Sequence, residues 1–151
     1  MVRPQPQPAV DTSVPWPGNT YIIRSKGTSH ILTLLEGRPQ LLSPGHRGCI
    51  HWTCVEHAGF LGFRNVASGK YLGFDDKHFF CCAKDGRADS WEKFMVVARP
   101  DGGFVMLMTH GSNWTLWPVG MKHGKGGHGE ERLAKVDGGW EKGLVWEFVK
   151  V

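Results

Sequence analysis

The sequence predicts an all-β fold of the β-trefoil type. Three observations carry this: a turn-rich composition, a threefold internal repeat, and matching turn chemistry within the repeats. Of the 151 residues 21 are glycine, spread along the chain, and few windows favour helix. Seven tryptophans and eight phenylalanines supply large pieces of core or ligand-stacking surface.

Three segments align on apolar positions. Tyr21, Leu61 and Val105 open the units, and Ile23, Phe63 and Leu107 come two residues later on the same strand face. Next come Leu32, Leu72 and Leu116, then Leu41 and Cys81 in the first two units. A strand led by a large aromatic closes each unit: Trp52, Phe94 and Trp146. Between the first two strands lies turn chemistry, "SKGTSH", "NVASGK" and "THGSN". Four short strands per unit, with units of about 40–47 residues, describe a six-stranded barrel capped by three hairpins. No unit could bury its apolar face alone, and a propeller would need at least about four blades. The expected organisation is a Pro-rich extended arm over residues 1–18 and a trefoil over 19–151, with units near 20–59, 60–102 and 103–151.

Several classes are excluded on charge and hydropathy. The net charge is +4, with Lys and Arg interleaved among Asp and Glu, so no nucleic-acid partner is expected. No apolar run is longer than "FVMLM" at 104–108, which is far too short to span a membrane. The N-terminus lacks the apolar stretch of a secretory signal. Cys49, Cys54, Cys81 and Cys82 then read as reduced thiols of a cytoplasmic protein. Their spacings match no zinc knuckle, and neither metal nor cofactor is expected. "GKGGHG" at 124–129 matches G-x-G-x-x-G literally. A phosphate cradle needs a strand before it, a helix starting within it and a βαβ unit around it. The repeat places it in a hairpin, so a turn is expected.

"FRNVASGKYLG" (63–73), followed by "WEKF" (91–94), resembles the repeat signature of fascin-like β-trefoils, relatives in fold of ricin-type lectins. The resemblance spans roughly residues 20–151 and implies a glycan or a cytoskeletal protein as partner. The chain departs from fascin-like proteins in carrying one trefoil rather than several in tandem. It departs from ricin-type repeats in lacking Gln-x-Trp at the unit ends.

Core packing asks for similar residues in all three units, so departures from symmetry mark candidate sites. The third unit departs most. Its stretch from Leu116 to Trp146 is longer than its counterparts by about eight to ten residues, around "MKHGKGGHGEERL". Trp114 and Trp117 stand beside that insertion, where the other units carry His30 and Lys70, and Thr33 and Gly73. With Leu116 in the core, Trp117 is expected to face away from it, and the two tryptophans to form a stacking platform for a sugar ring or for a small molecule with an aromatic or terpenoid body. His110 and Asn113 would orient a ligand, with Asp75, from the hairpin turn "GFDDKHFF", and His51 as further contacts. The stretch 119–131 becomes a candidate lid. The alternative is a small cofactor-independent enzyme of isomerase, cyclase or lyase type, with His110, His123 and His128 moving protons on a hydrophobic substrate.

Overall fold

The computed structural model describes residues 13–84, 92–111, 115–124 and 130–151. Trp114, Asn113 and His128 lie outside the described residues. The first unit contributes β1 (Thr20–Ser25), β2 (Ile31–Leu35), β3 (Arg38–Leu42) and β4 (His51–His57). The second contributes β5 (Phe60–Asn65), β6 (Tyr71–Phe74), β7 (Phe80–Lys84) and β8 (Phe94–Ala98). The third contributes β9 (Phe104–His110), β10 (Thr115–His123), β11 (Glu131–Lys135) and β12 (Val145–Lys150).

Six strands close a ring. β1 pairs with β4, β4 with β5, β5 with β8, β8 with β9, β9 with β12 and β12 with β1, all antiparallel. Closure leaves the ring without an open edge. The hairpins β2–β3, β6–β7 and β10–β11 hang from β1, β5 and β9. Their second strands meet as a cap. The chain is a β-trefoil.

Alternation explains the barrel strands. Tyr21 and Ile23 of β1, Trp52 and Cys54 of β4, and Trp146 and Phe148 of β12 are buried, with half-buried residues between them. Phe148 is the hub. Its ring stacks on Phe63 at 5.7 Å and meets Tyr21 at 6.0 Å and Phe104 at 5.7 Å edge-on. Trp52 Nε1 donates to Leu32 O at 3.0 Å, tying the ring to the first hairpin. Part of the expected arm is bound to the barrel. Ser13 N donates to Phe148 O, and Trp16 N donates to the Tyr21 hydroxyl at 2.8 Å.

The ladders correct the third unit's register. Tyr21 pairs with Trp52, Leu61 with Phe94, and Phe104 with Trp146, so Phe104 and not Val105 opens that unit. Three residues on, Arg24 pairs with Ile31, Arg64 with Tyr71, and Leu107 with Pro118. The residue matching Leu32 and Leu72 is therefore Val119 rather than Leu116, and all three are fully buried. The slip has a physical cause. Every residue from Phe104 to Met108 is buried, so this run shows no alternation from which a face could be read. On its outer face Val105 meets Gly143, which follows the 3-10 turn Trp140–Lys142. A Cβ on Gly143 would come 2.8 Å from Pro118 Cβ and 3.4 Å from Val105 Cγ1.

Candidate functional site

With the register corrected, the extra length falls in two places. In the first unit a turn closes directly after the Arg24–Ile31 pair, with Ser25 N donating to His30 O at 2.8 Å. In the third unit the ladder continues through Met108–Trp117, Thr109–Leu116 and His110–Thr115. The second place is the stretch 119–131, expected as a lid. Residues 119–123 complete β10 and pair in order with β11, from Val119–Lys135 to His123–Glu131. Residues 125–129, most of the Gly-rich stretch, lie outside the described residues. The next element along the chain is β11, a strand and not a helix, so the phosphate-cradle context is absent there.

The β9–β10 extension stands against the turn between β6 and β7. That turn is fixed by Asp75, whose Oδ1 accepts from Lys77 N at 2.9 Å and Phe79 N at 3.0 Å. His78 occupies the left-handed region, with φ of 72°, and its carbonyl accepts from Lys135 N at 2.8 Å. The turn is thus bolted to β11. Between turn and extension lies an open depression of about 400 Å³. Phe74, Asp75 and His78 form one side, and Thr109, His110 and Lys135 form the other.

Its wall is a cluster of rings around one amine. Met108–Trp117 is a directly opposed pair, so alternation puts Trp117, Val119 and Lys135 on one face and His110 on the same side. Trp117 therefore shares a face with the core residue Val119, against the expectation that it turns away. The His110 ring stacks flat on Trp117, 3.5 Å between centroids and 9° between planes. One face of the expected platform is thereby covered by protein. His78 meets both rings edge-on, at 5.0 Å from His110 and 5.6 Å from Trp117. Lys135 Nζ donates to Thr109 O at 3.1 Å and sits 3.5 Å from the centroid of Phe74.

Burial sets the protonation states. It pushes the Lys135 amine down from 10.5 to about 8. His78 and His110 are both lowered, first by burial and next by the charge of Lys135. His110 Nδ1 is buried without a hydrogen-bond partner among the described residues. All four cysteines are free. Three of them are poor nucleophiles at neutral pH, because burial pushes Cys54 up to about 12 and Cys81 and Cys82 to about 11. No group of three or more His, Cys, Asp or Glu residues among the described residues is placed to hold a metal ion.

The expected contacts divide. His110 and Asp75 line this depression, and Trp117 stands behind its wall, stacked on His110 and edge-on to His78. His51 lies in β4 opposite Ile22 and does not line this depression. His123 pairs with Glu131 at 3.3 Å, in the open, beside a second depression of about 560 Å³. Asp76 and His78 line both depressions. His78 and Lys135 were not anticipated. In the ladders Lys135 takes the place of Leu41 and Cys82 opposite Leu32 and Leu72, a match the sequence offsets hide because the insertion precedes it.

No protein-family model and no curated protein matches the chain. Solved structures do. A ricin B-like lectin from Macrolepiota procera, in complex with lactose, superposes with a TM-score of 0.63 at 13% identity, covering 92% of this chain and all of that one. The BEL β-trefoil, in an apo crystal form, gives 0.66 at 11%, covering 92% and 97%. A GlcNAcα1-4Gal-releasing endo-β-galactosidase from Clostridium perfringens gives 0.64 at 16%, covering 88% of this chain. The chain spans 32% of that enzyme. These likenesses establish the fold, and the class so defined is a β-trefoil with an aromatic, amine-lined depression between its second and third units.

Proposed function

We propose that the protein is a cofactor-free glycan-binding β-trefoil whose site is the depression between the β6–β7 turn and the β9–β10 extension. One observation carries the reading. The lengthened β9–β10 ladder brings His110 and Trp117 against His78, with carboxylates and an amine at the same opening. Ring edges and flat aromatic faces suit the apolar side of a sugar, while Asp75, Asp76 and Lys135 suit its hydroxyls. The fold shared with a lactose-bound lectin supports the choice of galactosides as first probes. The fascin-like resemblance supports a cytoskeletal partner as the competing outcome. A glycan panel containing lactose, run beside actin co-sedimentation, decides between them. Galactoside binding lost in Trp117→Ala is the expected result, and silence across the panel overturns it.

A second reading is favoured by the buried, unpartnered His110 Nδ1 and by the neutral state of both imidazoles. These are the properties of a general base, as a cofactor-independent isomerase, cyclase or lyase would need. On this reading His110→Ala abolishes turnover of a hydrophobic substrate and leaves its binding largely intact. His123 stands at the neighbouring depression, where its pairing with Glu131 gives it a separate environment.

A further inference from the structure

We propose that Lys135 is an imine-forming amine, whose Nζ condenses reversibly with a small aldehyde or ketone admitted to the depression.

The position of Lys135 is unusual for a lysine. Where the first two units set Leu41 and Cys82 opposite the core residues Leu32 and Leu72, the third sets Lys135 opposite Val119. Lys135 is only 3% exposed. A lysine that merely fills a core position is normally given a carboxylate, because an unpaired buried ammonium is costly. Among the described residues Lys135 forms no ion pair. Its amine has a backbone carbonyl, Thr109 O, and the rings of Phe74 and Trp117. The charged and titratable groups around this corner are His78, His110, Lys122, Asp75, Asp76 and Asp137. These contacts favour the ammonium, yet burial prevails and brings the amine down to about 8. Roughly a tenth is then free base at neutral pH, against about one part in several thousand for an exposed lysine.

Lys135 also borders the opening. The same residue that is buried from the barrel side lines the open depression of about 400 Å³, large enough for a small carbonyl compound. Phe74 and the His110 ring, which is backed by Trp117, offer flat apolar walls that favour an aromatic or unsaturated carbonyl.

The chemistry balances without a further reactant. The Nζ lone pair attacks the carbonyl carbon, a C–N bond forms, and the carbonyl π pair moves to oxygen. The proton lost by nitrogen passes to that oxygen, giving a carbinolamine. The nitrogen lone pair then forms the C=N bond as the C–O bond breaks, the hydroxyl takes up nitrogen's remaining proton and leaves as water, and a neutral imine remains. His78 and His110 line the same depression, and with both held below their usual 6.5 they supply bases there for these proton transfers.

Imine formation is independent of the glycan reading, since a depression that binds no sugar can still condense with a carbonyl. The test is reductive trapping. The full chain is incubated with benzaldehyde and cyanoborohydride across pH 6–10, and the benzylated lysines are mapped by mass spectrometry. Benzylation of Lys135 at least tenfold faster than of the exposed Lys77, with a midpoint near pH 8, is expected. Labelling of Lys77 and other surface lysines at equal or greater rates, in protein shown to be folded, overturns the proposal. Lys135→Leu, which installs the first unit's residue, should lose the fast-labelling phase. The wild-type map decides by itself if that variant folds poorly. Lactose titration of the same sample is read separately, so loss of one reading is not mistaken for loss of the other.

Discussion

In the first unit the β1–β2 ladder stops at Arg24–Ile31, and Leu41 faces Leu32 across the hairpin above it. In the third, the ladder runs three pairs further to His110–Thr115, and Lys135 faces Val119. The scaffold is the same in both. The first unit satisfies its apolar positions, whereas the third uses equivalent positions to hold an amine and a stacked Trp–His pair. A threefold core makes such a departure tolerable. Phe148, Phe63, Trp52 and Trp146 secure the barrel independently of what the third hairpin carries.

The largest expected effect comes from making the third unit like the first. Lys135→Leu should raise stability at pH 7 by up to about 3 kcal/mol, the linkage equivalent of an amine lowered from 10.5 to about 8. The sign is set by proton uptake. Below about pH 8 both folded and unfolded states carry the proton, and the wild type bears the whole cost. Between about 8 and 10.5 the folded state loses its proton first, so the gap between variant and wild type closes as pH rises. Urea denaturation at pH 7 and pH 10 measures it, and a gap that does not shrink contradicts the assignment.

Trp117→Ala should weaken galactoside binding at least tenfold, about 1.4 kcal/mol, as read by calorimetry. The same substitution should leave the barrel's near-ultraviolet signature from Trp52 and Trp146 in place.

Acid should weaken the third unit's site in particular. His78 and His110 are held below their usual 6.5, so their contribution is full above that value. It declines as pH falls, because the unfolded chain takes up protons that the folded chain resists. His78→Asn with His110→Asn should flatten the acid side of the stability profile. An unchanged slope would show that these rings are not held neutral.

The smallest effect is expected at His123. Its pairing with Glu131 is more than half exposed, and His123→Ala should change stability by less than about 0.5 kcal/mol and leave binding unaltered.

The fold was legible because Trp52, Phe94 and Trp146 recur at matching places and close the ring as their spacing implies. The site was legible only in outline. His110, Trp117 and Asp75 could be found from asymmetry and turn chemistry. The run from Phe104 to Met108 hid the register, because both of its faces are covered and period-two patterning vanishes. That single slip placed Leu116 in the core and turned Trp117 outward, while the insertion before β11 concealed Lys135. His78 was concealed differently. It enters the site through a left-handed turn in another unit, and nothing local to "DDKHFF" announces which strand that turn will meet.

The sharpest test of the third-unit site is a ¹H–¹⁵N NMR titration with lactose, reading the Trp117 indole N–H beside the amides of Asp75, Thr109 and His110. These four signals are expected to shift together and saturate, while signals from the first unit's turn at Gly27 to His30 stay still. Shifts confined to that turn, or none from these four with lactose or any galactoside of the panel, would contradict a glycan site between the second and third units.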